Sequence, residues 1–228
     1  GTTGSVAARF DVQPPPGEDG RLKASFALGE MTSDASGTIV ALATMQQSAS
    51  GLPEGFEITG TTSYDWSRFE MSFEDPSDAF NVFYANDGGN FGIALSNAEL
   101  RYDISAEGMV TRVAGSEIPV PVEASAASSA LSLTVPLAAS ATPSDAAVRL
   151  SYRDLAVSEE VWRMMDPTGG VPRNPLTVIL DATAQIQLMV DLLGVDAMEM
   201  DTPPGELRAL TVSELEISFG DTALTGSA

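Results

Sequence analysis

The chain has 228 residues, 43% of them hydrophobic, with 32 acids against 11 bases for a formal net charge of −21. That apolar content excludes wholesale disorder and suits one large β-rich domain, while so acidic a surface repels nucleic acid and anionic lipid headgroups. With neither cysteine nor histidine, there can be no disulfide, thiolate nucleophile, thiolate zinc site, Ser-His-Asp triad or imidazole ligand.

In chain order, "PPPGEDG" (14–20) reads as a loop, and "GRLKASFAL" as a strand with Lys23, the only lysine, pointing outward. Trp66, in "SYDWSRF", is expected at the surface. Phe69, Met71 and Phe73 alternate in one run and Phe80, Val82 and Tyr84 in the next, with the proline turn "EDPSD" between them, so 67–85 reads as a hairpin. "NDGGN" (86–90) is expected to be a further turn, with a soft division of the chain near it, before the strand "FGIALS". "ELRYDIS" (99–105) follows. The window 124–144 carries no charge. It is too polar and too broken by Pro136 and Pro143 to cross a membrane. Leu131, Leu133, Val135 and Leu137 alternate in it as a half-buried strand.

"AVRLSYRD" (147–154) is a strand with Val148, Leu150 and Tyr152 aligned. A short helix is expected at 159–165. Ser158 would cap it by accepting from a first-turn amide, and Glu159 and Glu160 would favour its positive end. Pro167 and Gly169-Gly170 end it. "LTVILDATAQIQLMVDL" (176–192), an acidic loop at 194–206 and "LTVSELEISFGDTALTG" (210–226), with a turn at Gly220-Asp221, complete the chain. The fold class is mainly β: a large antiparallel sheet, curved or two-layer, with roughly ten to twelve long strands and one or two short helices. Its apolar face must be covered by a second sheet, by the helices or by a ligand, and alternation does not decide which.

Few residues point to chemistry. Asp191, Asp196, Glu199 and Asp201 lie close together, and oxygen-rich loops hold calcium, but the spacing matches no EF-hand, so a solvated acidic loop is the plainer reading. Paired carboxylates for a glycosidase-like hydrolase are always available among 32 acids and carry little weight. No phosphate loop, dinucleotide fingerprint or nucleophile elbow occurs. Arg173, between prolines, could clamp an anion, but an ion pair with a nearby acid such as Asp166, or capping of helix-end carbonyls, is the simpler role. Trp162 is expected to be buried and to anchor this turn, with Met164 and Met165 filling gaps in the core.

The stretch "LSYRDLAVSEEVWRMMDPTGGVPRNPLTVILDATAQIQL" resembles the core signature of the DUF twenty-one twenty-five family, found mainly in alphaproteobacteria. The matching positions are Trp162, Asp166, Pro167, Pro172, Arg173, Pro175 and Asp181. The likeness covers about residues 90–228 well and the first 90 loosely. It implies an exported protein, longer at both ends and carrying a signal or anchor not present here; no activity comes with it. A more distant likeness to AsmA-like envelope proteins implies a sheet that holds lipid tails. The expectation is a non-enzymatic periplasmic or envelope protein, a single β-rich domain over 1–228, binding a lipid or other apolar ligand on a sheet face. The alternatives are an acidic subunit docking a basic partner and a carboxylate hydrolase.

Overall fold

The computed structural model describes residues 2–13, 20–38, 52, 55–75, 78–194, 197, 202–220 and 222–228, with side chains from residue 4 onward. Twelve strands form one antiparallel sheet: β1 (Thr2–Val12), β2 (Arg21–Thr38), β3 (Glu57–Tyr64), β4 (Ser67–Glu74), β5 (Ala79–Asn86), β6 (Gly88–Ser96), β7 (Glu99–Gly115), β8 (Val122–Pro136), β9 (Ser144–Val157), β10 (Leu176–Leu188), β11 (Gly205–Phe219) and β12 (Thr222–Gly226). The mainly β, antiparallel expectation therefore holds, and the helix α1 (Glu159–Met165) lies between β9 and β10.

The pairing is simpler than twelve strands suggest. Leu28 faces Ser67 and Met31 faces Tyr64, so β3 and β4 lie in one register against β2. Tyr64 faces Gly89 and Ser67 faces Asn86, so β5 and β6 form one run as well. The whole is an up-and-down meander in which every run lies beside its chain neighbours, with β1 and β12 at its two edges. The expected hairpin at 67–85 is present, β4 pairing β5 from Ser67↔Asn86 to Glu74↔Ala79. The expected turn at 86–90 is not: these residues pass straight on from β5 into β6.

What disguises that stretch is a seam across the sheet. Apolar residues sit at Phe80, Val82 and Tyr84 before it and at Phe91, Ile93 and Leu95 after it, so the alternation slips by one. The same slip separates Ala106 from Met109 in β7 and Tyr152 from Leu155 in β9. An inserted residue makes each slip, as in a β-bulge. Gly108 at φ +58 and Asp154 at φ +54 supply the left-handed backbone this needs, and Asp154 is the only such non-glycine among the described residues. From β2 to β9 neighbouring runs insert at the same level, so register survives there and the apolar side stays the same side; at the two ends of the seam, β1 against β2 and β10 against β9, the register shifts by one. Ser129 Oγ, beyond the seam, lies 2.8 Å from Met109 Sδ, before it. Trp66 stands on the seam with its ring over Gly29 and is 44% exposed, as expected of it.

The cap proposed for Ser158 is absent. Its amide is committed to the Glu123 carbonyl at 2.8 Å, and its hydroxyl makes no capping bond and is buried without a partner among the described residues. The helix is held instead by burial of Val161. Met164 and Met165 fill no gap in the core, being 54% and 66% exposed at the end of this seven-residue helix.

Candidate functional site

Register assembles an unbroken apolar face. Thr62, Phe91, Ile104, Leu131, Leu150, Leu180 and Leu215 are directly opposed from β3 to β11. The next row runs Ile93, Tyr102, Leu133, Val148, Ala182 and Val212. Phe91 and Tyr102 add an edge-to-face ring pair at 5.3 Å. Across the seam the face continues through Phe26, Phe69, Tyr84, Thr111, Ala124 and Val157.

Only the corners of this face are covered. At one, Trp162 of α1 packs on Phe219 of β11 with ring centroids 6.0 Å apart. At another, Leu137 and Leu188 are buried, and the Leu192 amide bonds the Leu137 carbonyl at 2.8 Å. Between these corners nothing among the described residues seals the face, and none of the large described side chains is fully buried. Phe91, Leu131, Leu150 and Leu180 are half-buried, and Ile104 is exposed. A contiguous apolar surface of this kind is one that a ligand, a partner or further protein covers.

One polar group is set into the face. Asn86, 3% exposed, donates to the hydroxyls of Tyr64 and Tyr84 at 3.2 and 3.0 Å, and its carbonyl accepts from the Ser67 and Gly88 amides at 3.1 and 3.4 Å. Burial pushes the Tyr64 phenol up, partly offset by the Asn86 bond. The amide thereby meets its hydrogen-bonding demand inside an apolar surface. Sequence reading missed it because it falls within the supposed turn.

The motif of the family likeness divides in two. Asp166 accepts from the Val171 amide at 2.8 Å, the Gly170 amide at 3.2 Å and the Thr168 hydroxyl at 2.9 Å, while Arg173 Nη1 reaches Asp166 at 2.9 Å and the Val171 carbonyl at 2.8 Å. The Arg173 guanidinium also covers the Trp162 ring at 5.0 Å. Trp162 is half-buried rather than fully so, because one side of the ring meets Phe219 and the other only Arg173. Pro167, Pro172 and Pro175 are exposed along the reversal. Asp181 is elsewhere, pairing with Arg149 across β9–β10 at 2.9 Å.

The Val171 amide first, and then Arg173, hold the Asp166 carboxyl well below the usual carboxylate range. A depressed folded-state pKa gives stability that is present above the ordinary value of about 4 and is lost as pH falls through the lower folded one. In a Trp66→Phe background, Trp162 emission should therefore change in strong acid. In Asp166→Asn the turn should be loosened at every pH and that acid step should vanish.

On the opposite face lie two open hollows. One, about 660 Å³, is lined by Arg9, Lys23, Glu70, Phe83 and Arg112 among others. The other, about 480 Å³, is lined by small residues with Asp34 and Asp103. Lys23 there is paired with Glu74 at 2.8 Å. Arg68 and Arg112 flank the Phe83 ring at 5.8 and 5.2 Å. Of the acids considered for calcium, Asp191 accepts from the Ala139 amide at 2.8 Å, and Asp196, Glu199 and Asp201 lie outside the described residues. Among the described residues no group of three or more acids is placed to hold a metal, and no helix is long and apolar enough to cross a membrane. No family model matches the chain, and neither a curated protein nor a solved structure matches it.

Proposed function

We propose that this is a non-enzymatic binding or scaffold protein of the bacterial periplasm or envelope that holds a lipid or other apolar ligand against its uncovered sheet face, and that it belongs with the DUF twenty-one twenty-five family. The observation that carries the reading is the directly opposed row from Phe91 to Leu215, which no second layer covers among the described residues. An acyl chain along that row would bury apolar surface at about 25 cal/mol per Å². The net charge of −21 disfavours anionic headgroups, so the ligand is a zwitterionic or uncharged lipid. It lies against an open sheet, not inside an enclosed pocket.

Native mass spectrometry of the purified protein, followed by solvent extraction, tests this. The expected result is co-purified zwitterionic lipid, or its uptake from added phosphatidylcholine micelles. Leu150→Glu should abolish uptake, and Thr183→Glu, on the other face of β10, should not. Wild-type protein that neither carries nor takes up lipid would rule the reading out.

A second reading has one observation behind it. Eight of the 11 bases are engaged in ion pairs, leaving most of the 32 acids unneutralised. A basic partner docked on that surface should be released as salt rises, whereas salt-indifferent capture would discard this alternative.

A further inference from the structure

Two phenols at the seam of the apolar face have protons to donate and no protein group to receive them. The Asn86 carbonyl accepts from the Ser67 and Gly88 amides, so the group that meets the Tyr64 and Tyr84 hydroxyls is its NH2, at 3.2 and 3.0 Å. An amide NH2 only donates, so both phenol oxygens accept there. Each phenol keeps its own O–H, and no acceptor for either lies within reach among the described residues.

We propose that the ester carbonyl of a bound acyl lipid sits at the seam, accepting from Tyr64 and Tyr84 together, with its chain running from there over Phe91 and along the row toward Leu150. The inference rests on the lipid reading above and assigns which part of the lipid lies where.

The geometry suits one shared acceptor. Both phenol oxygens bond the same nitrogen, so they lie at most about 6 Å apart. A carbonyl oxygen has two lone pairs, and two O–H donors at about 2.8 Å each span nearly that gap. The pair is also held ready. The Tyr64 ring lies over Gly89, where a Cβ would be 2.7 Å from its Cζ, and Asn86 is buried between its partners. Phe91 stands two residues beyond Gly89 on β6, so the apolar row begins beside the phenols.

The surroundings select the kind of acceptor. A ligand lying over the two phenols displaces the water that meets them, and has to replace its hydrogen bonds. Bare hydrocarbon would leave both donors unmet beneath it. A carboxylate or phosphate would find no counter-ion. The seam row, from Tyr64 through Ala106, Ser129 and Tyr152 to Ile217, is uncharged. So are the rows on either side, from Phe26 to Val157 and from Thr62 to Leu215. Covering an unpaired anion there costs far more than covering a neutral carbonyl. The ester at the head of an acyl chain places such a carbonyl directly beside hydrocarbon.

Competition between diacyl phosphatidylcholine and its dialkyl ether analogue of equal chain length, read by native mass spectrometry, tests this. The analogue keeps the headgroup and the hydrocarbon and lacks the carbonyls. Wild type should favour the ester lipid by about tenfold. Tyr64→Phe/Tyr84→Phe keeps both rings, and should take up the ether lipid at least as well as wild type while showing no preference. Each single variant leaves Asn86 one phenol partner and should lose part of the preference. Tyr102→Phe removes a hydroxyl from the same face that Asn86 does not hold, and should keep the preference whole. Uptake of the ether lipid shows in the same measurement that a variant is folded. Equal uptake of the two lipids by wild type overturns the proposal and leaves the lipid reading standing, and so does a full preference in the double variant. A wild type that takes up neither lipid overturns both.

Discussion

Gly89→Val should be the most damaging single substitution in the middle of the sheet, lowering stability by about 3 kcal/mol or more. A Cβ at Gly89 would press into the Ser105 carbonyl oxygen and lie 2.7 Å from Tyr64 Cζ, and the carbonyl belongs to the backbone of β7 and cannot swing aside. The Tyr64 ring lies over the glycine, so the added bulk also displaces the hydroxyl that meets Asn86. A chemical-denaturation midpoint reads the effect directly. Gly226→Val, at the edge with nothing near its Cβ, is the control that should change little.

Asn86→Ala should cost about 2–4 kcal/mol. It removes the acceptor for the buried Ser67 amide and the donor to two tyrosine hydroxyls, within a surface that offers no replacement. The Tyr64 phenol should then ionise at still higher pH, since burial remains and the bond that opposes it is gone. A spectrophotometric alkaline titration checks this second effect. A raised folded-state pKa contributes stability below the ordinary tyrosine value that is lost as pH climbs through the folded one, so the variant should hold its Tyr64 proton longer than wild type. An unchanged midpoint in denaturant would mean that Asn86 is solvated and not part of the packed face.

Alternation made most of the sheet legible from the chain alone. Leu131, Leu133 and Val135 read as a half-buried strand and are one, and so are Val148, Leu150 and Tyr152. The seam was not legible, because a glycine-rich stretch with a break in alternation signals a turn and a bulge equally well. The difference lies in the partner strand. Only the pairing of Tyr64 with Gly89 and of Gly88 with Glu107 shows that the chain runs on through 86–90. The same signal was available in "ISAEGMVTRV", where Ile104 and Ala106 give way to Met109, Thr111 and Val113 without any loop composition around Gly108. Ser158 takes the N-cap position with the extended backbone a cap needs, and its carbonyl accepts from the Trp162 amide, but its hydroxyl makes no bond to the first turn, and no local propensity encodes that rotamer. The Asp166–Arg173 pair was readable because both partners lie within one short reversal. Whether the apolar face is covered was beyond the reach of periodicity, which records which side chains share a face and nothing about what lies above them.

If lipid lies against the uncovered face, the row through Leu150 should be accessible in the lipid-free protein and become covered when lipid binds. The chain has no cysteine, so a single introduced thiol reports one position cleanly. The maleimide-labelling rate of Leu150→Cys under native conditions should be compared with that of Thr183→Cys, at an exposed site on the other face of β10. The two rates should lie within about tenfold of each other without lipid, and only that of Leu150→Cys should slow when phosphatidylcholine is added. Strong protection at Leu150→Cys in lipid-free protein, unaffected by phosphatidylcholine, would contradict the lipid reading.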